Sequence, residues 1–171
     1  MERMTVDVKV GKAIKEFILS TNGSEVLDPD KYTILWCLIK QHLVTAPGNY
    51  KPLTDRSEFI SIKLRNSNDI KTYSVPKNGK TRFSTLFYSH LTDAGQTVVR
   101  RHFEKEFKAT FRNYMKGALN NNPEMHINDA IEEFLTDHDI TMNHISIAML
   151  QKDWYRYRVK CATQKICPLC F

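Results

Sequence analysis

The sequence predicts an α+β protein, predominantly helical, with a small antiparallel sheet in the first half and a helical second half. Two observations carry this. Period-two alternation of apolar and polar residues occurs only before residue 76, at Val6, Val8 and Val10 and at Ile60, Ile62 and Leu64. From Asp93 onward, apolar residues recur at helical spacing through three long segments.

The elements follow in order. Thr5–Val10 reads as a strand broken by Gly11, and Ile14, Phe17 and Ile18 form a helical stripe ending at Asn22-Gly23. Asp28-Pro29 starts a helix that runs to about Val44. Its buried side is Ile34, Leu35, Leu38, Ile39 and Leu43, with Cys37 as a small core residue, and Pro47-Gly48 stops it. Ser57–Pro76 reads as a hairpin whose return strand is Ile70–Val75, so that three strands share one sheet. A glycine turn at Lys77–Lys80 leads past Arg82 into a short helix holding Phe83, Leu86, Phe87 and Leu91. Asp93 caps the long helix, with Gln96 as capping-box partner, and the helix closes before Pro123. An acidic helix spans Asn128–His138 with Ala130, Ile131, Phe134 and Leu135 inward, and a last helix spans Ile145–Lys160. Residues 1–160 make one domain, with a subdivision into 1–91 and 92–160 as the alternative, and 161–171 form a flexible cysteine-containing tail.

Charge is distributed in blocks. Residues 51–120 hold fourteen Lys/Arg against six Asp/Glu, 121–145 hold none against six, and 146–171 hold five against one. The net charge of +6 and this segregation direct attention to the basic blocks. On the long helix, Arg101, Lys105, Lys108, Arg112 and Lys116 share one stripe, while Val99, Phe103, Phe107, Phe111, Tyr114 and Ala118 take the other side. Like charges one turn apart repel by a few tenths of a kcal/mol per pair, so such a row calls for an anion. Nucleic acid is the commonest external one. The internal alternative is the acidic helix, whose Asp129, Glu132, Glu133 and Asp137 would neutralise the stripe by packing beside it.

The last helix repeats the pattern, with Leu150, Trp154, Tyr157 and Cys161 on one face and Lys152, Arg156 and Lys160 on the other, Tyr155 and Arg158 flanking. Basic residues interleaved with aromatics pair with phosphates and stack on bases, or else form an ordinary core and a solvated face. Lys77, Lys80 and Arg82 form a basic loop of the kind that touches a nucleic-acid backbone, or a plain surface turn. A helix-turn-helix formed by Ala130–His138 and Ser146–Lys160 fits poorly: the linker is long, lacks glycine, and its first helix is acidic.

No catalytic site, metal or cofactor is expected. His42, His90, His102, His126, His138 and His144 show no ligand spacing, and no nucleophile elbow or phosphate loop is present. Cys167 and Cys170 form a C-x-x-C without a second pair or histidine at zinc-finger spacing. No apolar run spans a membrane, and MERMTVDVKVGK lacks the features of a secretory signal, so a cytoplasmic location is the expectation. The segments LTDAGQTVVRRHFEKEFKATFRNYM, AIEEFLTDHDI and LQKDWYRYR resemble small proteins of prophages and mobile elements of gut bacteria, over about the last half of the chain. The resemblance implies a context in which small basic proteins handle DNA, and brings no site residues with it. The expected function is nucleic-acid binding, with DNA as ligand and a regulatory role. The alternative is a non-enzymatic mobile-element protein that engages a protein partner through the acidic helix around 128–138.

Overall fold

The computed structural model describes residues 5–45, 55–64, 75–77, 80–82 and 89–164. In chain order it contains β1 (Thr5–Lys9), α1 (Lys12–Asn22), β2 (Val26–Leu27), α2 (Ile34–His42), β3 (Leu43–Thr45) and β4 (Phe59–Lys63). There follow β5 (Val75–Lys77), β6 (Lys80–Arg82), β7 (Ser89–Leu91), α3 (Asp93–Asn121), α4 (Ile127–Asp137) and α5 (Ile147–Gln164). The architecture is α+β and predominantly helical, and the strands among the described residues are short and all precede α3. Two compact units share the chain: Met1–Gly11 with Asn22–Phe103, and Lys12–Thr21 with Glu104–Phe171. The division falls within α3.

In unit one, β4 pairs antiparallel with β1 and parallel with β2. The pairs Val6↔Ile62 and Val8↔Ile60 put four buried side chains into the core. The sheet is therefore mixed rather than antiparallel, because its third strand is Val26–Leu27, too short to show alternation in the sequence. Val75, expected to close a hairpin with β4, pairs instead with Arg82. The rest of that expected return strand, and Phe83, Leu86 and Phe87, lie outside the described residues. Leu91 is in β7, paired with Leu43, and not in a helix.

Helix α2 starts five residues later than the Asp28-Pro29 signal suggests. The Asp28 carboxylate is held by Lys63 Nζ at 2.7 Å, and Thr33 caps the helix by accepting from the Trp36 amide at 3.3 Å. The inward face then falls on Trp36 and Ile39, leaving Ile34 71% exposed and Cys37 exposed, which corrects the expected core placement of both.

The start of α3 also differs from its sequence signature. Asp93 is its first residue, and Thr92 Oγ1 accepts from the Gly95 amide at 3.1 Å as the cap. Gln96 makes no capping box. Its Nε2 donates to the Asp7 carbonyl at 2.8 Å, while its Oε1 accepts from the Lys9 amide at 3.1 Å. One amide thus satisfies a donor and an acceptor on the open edge of β1. A Cβ at Gly95 would lie 2.4 Å from His42 Cβ, so only glycine fits where α3 passes α2.

Unit two is built on aromatic rings. Phe134 of α4 meets Phe107, Phe111 and Tyr114 of α3 edge-on, with centroids 5.2–5.9 Å apart, and His138 at 4.6 Å. Phe17 of α1 contacts Phe107 at 5.2 Å and His138 at 5.1 Å. Ala130, Ile131, Phe134 and Leu135 are buried as their spacing predicts. Helix α4 ends in a Schellman motif: Ile140 N donates to Leu135 O, Asp139 N donates to Thr136 O, and Ile140 packs inward with Leu135. Asp139 occupies the left-handed position at φ 51°.

Candidate nucleic-acid interface

The burial pattern of α3 decides how its basic stripe is presented. Val99, Phe103, Phe107, Phe111 and Met115 are buried, a strict four-residue repeat. At 3.6 residues per turn each step of four advances the buried line by about 40° around the helix. Early in α3 the basic stripe stands nearly opposite that line. From Lys108 on, the stripe steps in fours together with that line, so Lys108, Arg112 and Lys116 each stand about 100° from the buried residue before them, on the flank.

Arg112 has a partner within unit two. Its Nε donates to Asp153 Oδ2 and its Nη2 to Asp153 Oδ1, both at 2.8 Å, a bidentate clasp between α3 and α5. The guanidinium also lies over the Tyr157 ring, 5.1 Å from its centroid. The Arg112 and Asp153 side chains are only 31% and 19% exposed. The bond to Asp153 raises the Arg112 pKa above its already high ordinary value.

The other cations of the stripe are different. Lys105, Lys108 and Lys116 in unit two, and Arg101 in the unit-one part of the helix, are exposed, and none is ion-paired among the described residues. The carboxylates expected to compete for them do not reach them. Asp129, Glu132, Glu133 and Asp137 of α4 are exposed, and Asp137 accepts from the Tyr114 hydroxyl at 3.2 Å. Burial, together with Asp137 and Glu133, holds that phenol protonated well above its usual range. The anion that neutralises part of the stripe is Asp153, the single acid in the block from 146 to 171. Sequence reasoning misses this residue, although an isolated acid in a basic block is the signal that could have found it.

On α5, Leu150 and Trp154 are buried, while Tyr157 and Cys161 are half-buried. The indole Nε1 of Trp154 finds no acceptor among the described residues, so the ring serves as apolar volume. Lys152, Arg156, Arg158 and Lys160 are exposed and without ion pairs among the described residues. At about 100° per residue, Lys160 and Arg156 lie within roughly 60° of Asp153, on the flank that carries the clasp, whereas Lys152 is about 100° and Arg158 about 140° away. Lys108 and Lys116 stand one turn either side of Arg112 on α3, and Arg156 and Lys160 share the flank of Asp153 on α5. Lys152 and Arg158 belong to the outer face of α5.

Two sequence-derived groups contribute less. Lys77, Lys80 and Arg82 lie on the β5–β6 ladder, where Lys77 pairs with Lys80; their side-chain placement, and residues Asn78 and Gly79, lie outside the described residues. Cys167 and Cys170 also lie outside them, whereas Cys161 is inside α5 and not in a tail. Among the described residues no cluster of His, Cys, Asp and Glu is placed to hold a metal, and no helix is long and apolar enough to cross a membrane.

A polar knot fixes α1 to the segment between α4 and α5. Glu16 accepts from the Thr141 amide at 3.0 Å and the Thr141 hydroxyl at 2.9 Å, and its Oε1 is 2.9 Å from His144 Nδ1. Burial pushes the Glu16 carboxyl up, but these bonds outweigh it and leave the pKa lowered. Comparison with protein-family models, curated proteins and solved structures finds no match to this chain.

Proposed function

We propose that this chain is a non-catalytic nucleic-acid-binding protein, acting on DNA in the cytoplasm and gaining most of its affinity from phosphate contacts. The observation that supports it most is the set of exposed cations around the Arg112–Asp153 clasp. Lys105, Lys108, Lys116, Arg156 and Lys160 are left without carboxylate partners among the described residues, although α4 of the same unit carries four exposed acids. Cations that repel one another along a helix and serve no contact in the fold are suited to an external polyanion.

Gel retention at low salt tests the proposal, with a duplex and a single strand of the same sequence. Retention that weakens log-linearly with salt supports it, with a slope near −0.9 per phosphate engaged on duplex and near −0.7 on a single strand. Absence of retention of both removes it. A second reading rests on the exposed row Asp129, Glu132, Glu133 and Asp137, which suits a basic protein partner. A stoichiometric protein complex abolished by neutralising that row, with no nucleic-acid retention, would favour it.

A further inference from the structure

The outer face of α5 carries more apolar surface than phosphate contact requires. Tyr155 is 68% exposed, and Val159, about 40° round the helix from it, is 48% exposed. The other two aromatics of α5 are occupied, Trp154 by burial and Tyr157 by the Arg112 guanidinium. The Tyr155 ring meets no other ring, and its hydroxyl has no partner, among the described residues. Lys152 and Arg158 stand three residues before and after it, one turn away on either side along the same ridge. Charge selects the occupant. Asp153 is the single carboxylate of α5 and is taken by Arg112, so the outer face holds Lys152 and Arg158 with no competing acid.

An exposed ring bracketed by cations matches a nucleotide whose base is free. In a duplex each base has both faces covered by its neighbours, and a helix presses only on phosphates and groove edges. In a single strand a base offers a π-face to an aromatic side chain while adjoining phosphates meet the flanking cations. We infer that α5 binds single-stranded nucleic acid, stacking a base on Tyr155 with Lys152 and Arg158 on the neighbouring phosphates. This rests on the nucleic-acid reading above and narrows its ligand to an unpaired strand. The chemistry is common to DNA and RNA.

The test is fluorescence anisotropy of a labelled oligothymidylate, alone and annealed to its complement, with the full chain and its Y155A and Y155F variants. The wild type should prefer the single strand. Y155A should weaken single-strand binding on the order of tenfold and leave duplex binding unchanged. Its salt slope should match the wild type, because stacking releases no counterions. Y155F should bind as the wild type does. The site is exposed, so circular dichroism of all three should coincide. An oligouridylate run alongside separates RNA from DNA, and a Y155A-sensitive preference for either supports stacking. Single-strand binding indifferent to Y155A, or weakened equally in Y155F, overturns the inference and leaves the broader reading standing. Binding to phosphatidylglycerol vesicles with no strand binding overturns both in favour of a lipid surface. No binding to any of these probes also removes both.

Discussion

Phe107, Phe111 and Met115 on one side of α3, and Lys105, Lys108 and Lys116 on the other, occupy the same turns of one helix and are held by different things. The inner row is fixed by the fold: ring-to-ring contacts with Phe134 and Phe17, and nearly complete burial. The outer row is fixed by nothing in the fold among the described residues. Arg112 shares the angle of Lys108 and Lys116 and belongs to the fold through Asp153. Residues of one charge at one spacing thus divide into a structural member and functional candidates according to which of them Asp153 faces.

The largest effect that would break this comparison is removal of the inner row's anchor. Phe134→Ala deletes the ring that four others meet, and should cost about 3–5 kcal/mol in urea or thermal melts. A cost below about 1 kcal/mol would mean the ring cluster does not organise the unit. Arg112→Ala comes next. It leaves the half-buried Asp153 carboxylate without its partner and should destabilise by roughly 1–3 kcal/mol, whereas Lys108→Ala, one turn away, should stay within about 0.5 kcal/mol. Equal effects of the two would erase the distinction.

Much of this fold is legible in the sequence, and what is not has physical reasons. Helices α3, α4 and α5 and their buried residues follow from periodicity, which is strongest in long segments. Met115 escapes because a stripe drawn at 3.6 residues per turn does not follow a core that repeats every four. Arg112 joins a helix–helix seam because Asp153 of α5 faces it, which no local pattern in α3 reveals. Asp28-Pro29 has the form of a helix start, but Lys63, distant in sequence, takes the carboxylate. Gln96 looks like a capping partner until β1 claims its amide. In each case a long-range partner outcompetes a local motif. At the candidate interface the cations can be named from the sequence, but which are spare cannot, since that depends on the position of Asp153.

Smaller effects sharpen the account of unit two. Asp139→Gly relieves a non-glycine residue from the left-handed region and should stabilise by about 1 kcal/mol in the same melts. A drop in stability would mean that the Asp139 side chain contributes more than its backbone costs. Acidification should act in two steps. Burial between Phe17 and Phe134 lowers the His138 pKa below its ordinary 6.5 despite Asp137 and Asp139. The unfolded chain then takes the proton first, so stability falls as the pH drops below about 6.5. Glu16, lowered from its ordinary 4.5, contributes stability above that value that is lost as the pH falls through its folded pKa. Urea midpoints against pH should lose the upper step in His138→Gln and the lower step in Glu16→Gln.

The most direct test of the outer row is the salt dependence of nucleic-acid binding by a triple variant, Lys105→Ala, Lys108→Ala and Lys116→Ala together, beside the wild type. Its melting curve should match the wild type, because these side chains make no interaction that the fold needs. Its affinity should fall similarly for every sequence, and its log–log salt slope should become shallower by roughly one unit for each phosphate no longer neutralised. An unchanged slope with unchanged affinity would contradict the claim that these lysines are held ready for a polyanion.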